Sequence, residues 1–245
     1  MSHMPATIYW TLADRSRVDL DSPEDFLSPE ELGKLATLRF PKRRNEWLLG
    51  RWTAKSLARS LPEFRELPSA GIEVRASPEG APYLHLLTET CSPHSLSISH
   101  SGDLALCALT LGTILAVGAD VEKVEPRSDE FVQDYFTVAE WERVRRSPAG
   151  RRDLAANLVW SAKEAMLKAL GIGLRRDTRQ LEVLAWGDLE RSGGWQALGI
   201  RAGVPGGAGW QAWWQARQGF VLTVASLEAD GADLHSTTLL EQQVM

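Results

Sequence analysis

Asp120 and Glu122 stand two residues apart in an apolar run, and that spacing is the first sign of chemistry in the chain. In a β-strand, residues i and i+2 leave the same face, so both carboxylates point one way while Ala119 and Val121 point the other. Two adjacent acids repel each other, and a hard divalent cation relieves the repulsion. Oxygen-only ligands in small number suit Mg²⁺, with Mn²⁺ as a substitute, because Mg²⁺ keeps several waters and is completed by substrate phosphates. A solvated strand end is the commoner meaning of so short a motif. Its company changes the balance. A helical pattern over 152–170 places Trp160, Glu164, Leu167 and Lys168 on one face, an acid, a base and an aromatic wall together. In that setting Glu164 is a third metal ligand or a general base, and Lys168 meets a phosphate oxygen. Read for structure alone, Glu164 and Lys168 are an i,i+4 ion pair beside a core Trp.

A second set is basic. Residues 42–60 have helical periodicity, with Trp47, Gly50, Ala54, Leu57 and Leu61 as an apolar stripe and Arg44, Arg51 and Lys55 in one narrow sector. Lys42 and Arg43 stand at its N-terminal end. Such a row either grips phosphate through guanidinium forks or faces solvent. In Ile98-Ser99-His100-Ser101-Gly102, the side chains of Ser99 and His100 with neighbouring N–H groups could hold an anion. A further cluster, Arg143, Arg145, Arg146, Arg151 and Arg152, faces solvent and suits an acidic protein surface.

These groups need elements to position them. Ser28-Pro29-Glu30-Glu31 is a helix start, with Ser at the cap, Pro at the first helical position and acids in the first turn. The helix over 152–170 is ended by Gly171 and Gly173. Strands at 104–110 and 114–121 flank Leu111-Gly112-Thr113 and read as a buried hairpin. A second hairpin, half exposed, alternates from Trp210 to Arg217, turns at Gln218-Gly219 and returns over 220–227. Helix plus antiparallel strands in each half predicts an α+β fold, with an N-terminal lobe over 4–112, a C-terminal lobe carrying the metal site over 113–228, and a polar, frayed tail over 229–245. The Gly-rich stretch 204–209 fits no phosphate-loop pattern and reads as a plain loop.

Composition sets the limits. A chain of 245 residues, 44% apolar and 24% charged with a net charge of −5, buries a core and is not disordered. The acid excess argues against a nucleic-acid partner. The longest uncharged run, 104–119, is too short and too interrupted by glycine to span a membrane. Cys91 and Cys107 are too few for a disulfide framework or a Cys-based metal site, so reduced thiols and a cytoplasmic location are expected. Met1-Ser2-His3-Met4 reads as an added leader before a native Met4.

Taken in order, Ser97-Ile98-Ser99-His100-Ser101-Gly102, Gly118-Ala119-Asp120-Val121-Glu122-Lys123, Phe136-Thr137-Val138-Ala139-Glu140, and Trp160-Ser161-Ala162-Lys163-Glu164-Ala165 with Lys168 and Gly171 resemble the 4′-phosphopantetheinyl transferases. The length, and Lys42-Arg43-Arg44-Asn45-Glu46 with Gly50-Arg51 upstream, resemble the larger, two-lobed bacterial type named after the surfactin synthetase activator. The likeness covers roughly residues 28–175. It implies two similar α+β lobes in one chain, related by a pseudo-two-fold, with coenzyme A and Mg²⁺ in the cleft between them. It implies attack by a serine of an acidic acyl or peptidyl carrier protein on the β-phosphate of CoA, with 3′,5′-ADP leaving, by a monomeric enzyme.

By matching positions, Asp120, Glu122 and Glu164 would hold the metal, and Glu164 or a bound water would take the serine proton. Lys168 would neutralise the pyrophosphate, Ser99 and His100 would contact the 3′-phosphate region, and Arg43 and Arg51 would bind the nucleotide phosphates. Two departures stand out. Gly80-Ala81-Pro82 has Ala where the family commonly has Lys or Arg, so one cation toward the nucleotide is missing or replaced, and Ala119 replaces a larger aliphatic residue. The same inventory would serve another Mg²⁺-dependent phosphotransferase or pyrophosphatase acting on a nucleotide, or a CoA-binding module without catalysis.

Overall fold

In the computed structural model the described residues are 6–87, 93–112, 115–172, 176–191, 193–203, 209–228 and 237–244. Expectations on Cys91, Gly173, 204–208 and 229–236 lie outside them. In chain order the elements are β1 (Thr7–Asp14), α1 (Pro29–Thr37), α2 (Pro41–Arg59), β2 (Ile72–Ala76), β3 (Pro82–Leu86), β4 (His94–Ser101), β5 (Leu104–Leu111) and β6 (Leu115–Lys123). Then follow α3 (Asp129–Tyr135), α4 (Val138–Arg145), α5 (Arg152–Ala169), β7 (Leu181–Ala185), β8 (Gln196–Ala197), β9 (Gly199–Ala202), β10 (Trp210–Arg217), β11 (Phe220–Glu228) and β12 (Thr238–Glu241). The fold is mixed α and β, and it divides into one unit of Met1–Thr113 with His235–Met245 and another of Ile114–Leu234.

In the first unit a four-stranded sheet runs β12-β1-β5-β4, with β2 and β3 as a separate antiparallel pair. The apolar face of α2 closes its core: Ala54, Leu57 and Leu61 pack with Ile72, Leu84 and Leu109. The capping box expected at Ser28 is present, the Ser28 hydroxyl accepting from Glu31 N and a Glu31 oxygen accepting from Ser28 N. Glu31 does more than cap. Its Oε1 accepts from Val74 N of β2 at 3.0 Å and its Oε2 takes the Lys55 ammonium, which also donates to Phe26 O at 2.6 Å. Lys55 is therefore buried, and its place in a phosphate-gripping row is corrected: the side of α2 that bears it faces a wall containing its own carboxylate. Burial pushes the Lys55 pKa down and Glu31 opposes the shift.

In the second unit a sheet runs β6-β11-β10-β8, with β7 and β9 paired apart from it. The long helix α5 lies on one face of the sheet so closely that a Cβ on Gly118 of β6 would stand 1.8 Å from the Ala165 carbonyl oxygen. Ser161 and Thr223 lock the contact further, the Thr223 hydroxyl donating to Ser161 O at 2.9 Å. Here too a capping box, Thr137 with Glu140, opens a helix, and Glu140 Oε1 accepts from Val183 N at 2.8 Å. The Lys163 ammonium meets Glu140 Oε2 at 2.8 Å with both side chains fully buried. An isolated buried charge would be prohibitively costly, so each carboxylate is tolerable because a lysine and backbone N–H groups satisfy it.

Two expectations are corrected. Residues 104–110 and 114–121 do not form a hairpin: β5 pairs with β1 and β4, while β6 pairs with β11, and the two strands belong to different sheets. The tight hairpin in this region is β4–β5, turned by Gly102 at φ +59°. The frayed tail also fails, since β12 pairs in parallel with β1, Thr7 opposite Thr238 through Trp10 opposite Glu241. The β10–β11 pairing stands as expected, with Gln218 and Gly219 both at positive φ in its turn, but the hairpin is not half exposed: of its strand residues only Arg217 is exposed. Among the described residues no helix is long and apolar enough to cross a membrane.

Candidate active site

Strand β6 and helix α5 bring the second unit's candidate residues together. Asp120 pairs in register with Thr223, the residue that bonds α5, so the Asp120–Glu122 face of the strand is the face the helix covers. Asp120 is buried. The Lys168 ammonium lies 2.7 Å from Asp120 Oδ1 and donates also to Ala119 O at 3.2 Å. Glu122 is gripped at both oxygens: Trp160 Nε1 donates to Oε1 at 3.1 Å and Arg127 to Oε2 at 3.0 Å.

The electrostatics follow from this crowding. Burial pushes the Glu122 carboxyl above the usual range and the charge of Asp120 adds to the shift, while Arg127 and Trp160 oppose it. Burial also raises Glu164; Lys168 pulls it back, and Asp120 and Glu122 push it up again. Lys168 and Arg127 set two positive charges against the three carboxylates, so the cluster can take further positive charge. Among the described residues no three His, Cys, Asp or Glu side chains converge as a preformed metal site. The donor set nevertheless fits a hard divalent ion, because an ionised carboxylate has about four lone-pair positions and the one donor on each Glu122 oxygen leaves room for a cation.

The first unit holds the basic set. Arg43, Arg51 and His100 line one groove of about 820 Å³, together with Lys42, Phe40, Trp47 and Arg75. The Arg51 guanidinium lies 4.6 Å from the centre of the Trp47 ring, and its Nε is buried without a hydrogen-bond partner among the described residues. His100 is half exposed, its Nδ1 3.9 Å from a Glu46 oxygen. Ser99 is buried and does not line the groove; Ile98 and His100 do, and strand alternation sends Ser99 to the other face of β4.

Some of this was not legible in the sequence. Arg75 lines the groove next to Gly80 and Pro82, though its fork is held by Glu73 and Glu30. Arg127 follows Glu122 in a loop that has no period, so only its five-residue offset pointed to it. The cluster at 143–152 is less open than expected. Arg143 donates inward to Val183 O, and Arg145, Arg151 and Arg152 pair with Glu142, Glu190 and Asp129.

Residues 116–225 match the family model of the 4′-phosphopantetheinyl transferase superfamily. The chain is 28% identical over 171 residues to the 4′-phosphopantetheinyl transferase HetI of Nostoc sp., covering 65% of this chain and 69% of that protein. It is 29% identical over 178 residues to a phosphopantetheinyl transferase of Thraustochytrium sp., covering 67% and 58%. It is 31% identical over 109 residues to a 4′-phosphopantetheinyl transferase of Bacillus subtilis, covering 44% and 45%. Thus the chain spans only about half to two thirds of the length of these relatives. Asp120, Glu122, Trp160, Glu164 and Lys168 all fall inside the segment that matches this family model, which spans 110 of the 245 residues.

Proposed function

We propose that this chain transfers the 4′-phosphopantetheine group of coenzyme A to a serine of an acyl or peptidyl carrier protein and releases 3′,5′-ADP. The observation that carries the reading is the cluster of Asp120, Glu122 and Glu164 with Lys168 inside the matched segment. Asp120, Glu122 and Glu164 would hold Mg²⁺, or Mn²⁺ in its place. Such an ion supplies charge neutralisation on the diphosphate and orients its oxygens.

The serine oxygen forms a bond to the β-phosphorus as the bond from that phosphorus to the leaving 3′,5′-ADP oxygen breaks. Glu164 or a bound water takes the serine proton; burial raises the proton affinity of Glu164 in the metal-free site. Lys168 carries a positive charge toward the diphosphate oxygens. Arg43, Arg51 and His100 hold the nucleotide phosphates in the groove, where the orphaned Nε of Arg51 favours an anion. Ser99 contacts the 3′-phosphate region only if β4 presents it differently. The matching Glu31–Lys55–Val74 and Glu140–Lys163–Val183 arrangements support two similar α+β lobes. The carrier is taken as acidic and the enzyme as a cytoplasmic monomer.

Mass spectrometry of an apo carrier protein incubated with this chain, CoA and Mg²⁺ tests the reading. A gain of one phosphopantetheine is expected, lost in Asp120→Ala and Glu164→Ala variants that still fold. CoA breakdown without modification of the carrier would point instead to a phosphotransferase or pyrophosphatase, and no reaction to a binding module.

A further inference from the structure

We infer that Arg127 is a positioning residue that, with Trp160, fixes the Glu122 carboxylate for a divalent cation; this rests on the reading of Glu122 as one of the cation's ligands. Arg127 lies between β6 and α3 with a side chain only 17% exposed. Three constraints immobilise its guanidinium: Nε donates to Asn157 Oδ1 at 2.7 Å, a terminal nitrogen donates to Glu122 Oε2 at 3.0 Å, and its plane sits 4.9 Å from the centre of the Phe131 ring.

The anchor is itself anchored. Asn157 is fully buried in α5, and its amide donates to Glu125 O at 2.6 Å and Asp153 O at 2.8 Å, which fixes the oxygen that receives Arg127. On the other side Phe131 meets Trp160 edge-to-face with centroids 4.9 Å apart, and Trp160 Nε1 returns to Glu122 Oε1 at 3.1 Å. Glu122 is thus clamped at both oxygens by a closed circuit of side chains. One donor per oxygen stops the carboxylate from rotating and leaves lone pairs on each oxygen for a ligand.

The sign of the effect separates positioning from simple charge. A guanidinium beside a carboxylate repels a divalent ion, so removing it for charge reasons alone would tighten metal binding. Removing a group that orients a ligand weakens metal binding, by roughly 10–100-fold where such partners have been deleted. The test is Mn²⁺ binding to the full chain, followed by the paramagnetic resonance of free Mn²⁺, with thermal melting in parallel. Arg127→Ala is expected to weaken Mn²⁺ binding at least about tenfold. Arg127→Lys should recover part of the affinity, and Trp160→Phe, which keeps the ring and deletes one donor, should weaken binding in the same direction.

Unchanged or tighter binding by Arg127→Ala overturns the inference. If that variant does not fold, Trp160→Phe decides it, and wild-type affinity there overturns it equally. Asp120→Ala separates the two levels. If it binds Mn²⁺ as the wild type does, the carboxylate site itself is misassigned and the role of Arg127 falls with it. If it loses Mn²⁺ while Arg127→Ala and Trp160→Phe keep it, only the positioning role fails.

Discussion

Glu164 sits where four influences meet, and its protonation reports on all of them. Burial, Asp120 and Glu122 raise its pKa while Lys168 lowers it. Carboxyl NMR of the metal-free protein should show Glu164 titrating above the ordinary 4.5 of a glutamate, and Lys168→Ala should move it higher still. A carboxyl whose folded pKa is raised adds stability that is fully present below its unfolded value and is lost as pH rises through its folded value. Within that window a bound divalent ion must displace the proton, so calorimetry in two buffers should show proton release on Mn²⁺ binding. At His100 the expectation is different in kind. His100→Ala removes a groove contact, so the KM for CoA should rise while kcat holds; the reverse split in steady-state kinetics would exclude a binding role. The acids were legible in the sequence because strand and helix periods fix which side chains share a face. Lys55 was not: a helical wheel assigns it to a sector but does not show the carboxylate that sector faces.

At the scale of elements, the approach of α5 to β6 decides whether the cluster exists. Gly118 has no side chain because the helix backbone occupies the place where one would be. Gly118→Ala must therefore push α5 off the strand, at a cost of about 1–3 kcal/mol or more for overpacking, and carry Glu164 and Lys168 away from Asp120. The expected result is a lower melting temperature together with lost transfer activity, and a variant that melts and reacts like the wild type would contradict this account of the contact. The start of α1 lies where its cap residues put it and the end of α5 lies before Gly171, because such end signals are local chemistry, while α2 lies within a residue of the span its apolar stripe marked. The supposed hairpin around Gly112 failed for the opposite reason. Two apolar strands either side of a short turn have the same local pattern whether they pair with each other or part into different sheets, and partner choice is set by strands far away in the chain.

Across the whole molecule, one device recurs: a capping glutamate at the start of a short helix, bonded to a strand N–H and to a lysine buried in the following long helix. The candidate site residues do not recur with it. The described carboxylate cluster belongs to the second unit and the cationic groove to the first. No period in the sequence announced the repeat, since its parts are single residues spread over three elements. A chain lacking residues 237–245 should lose protection from hydrogen exchange at the β1 amides while β6 and β11 keep theirs, because β12 and the bonds between Gln242 and β1 would be gone. Equal protection in both sheets would show that β12 adds nothing.

The parallel pairing of β1 with β12 also sets an order of birth. On the ribosome β1 emerges before β12, and the edge that β12 covers stays bare until β2 to β11 have been made and residues 238–241 follow. A bare strand edge invites pairing with other chains, so the time during which this protein is most prone to aggregate is fixed by its topology and lengthens with every pause in translation between the two strands.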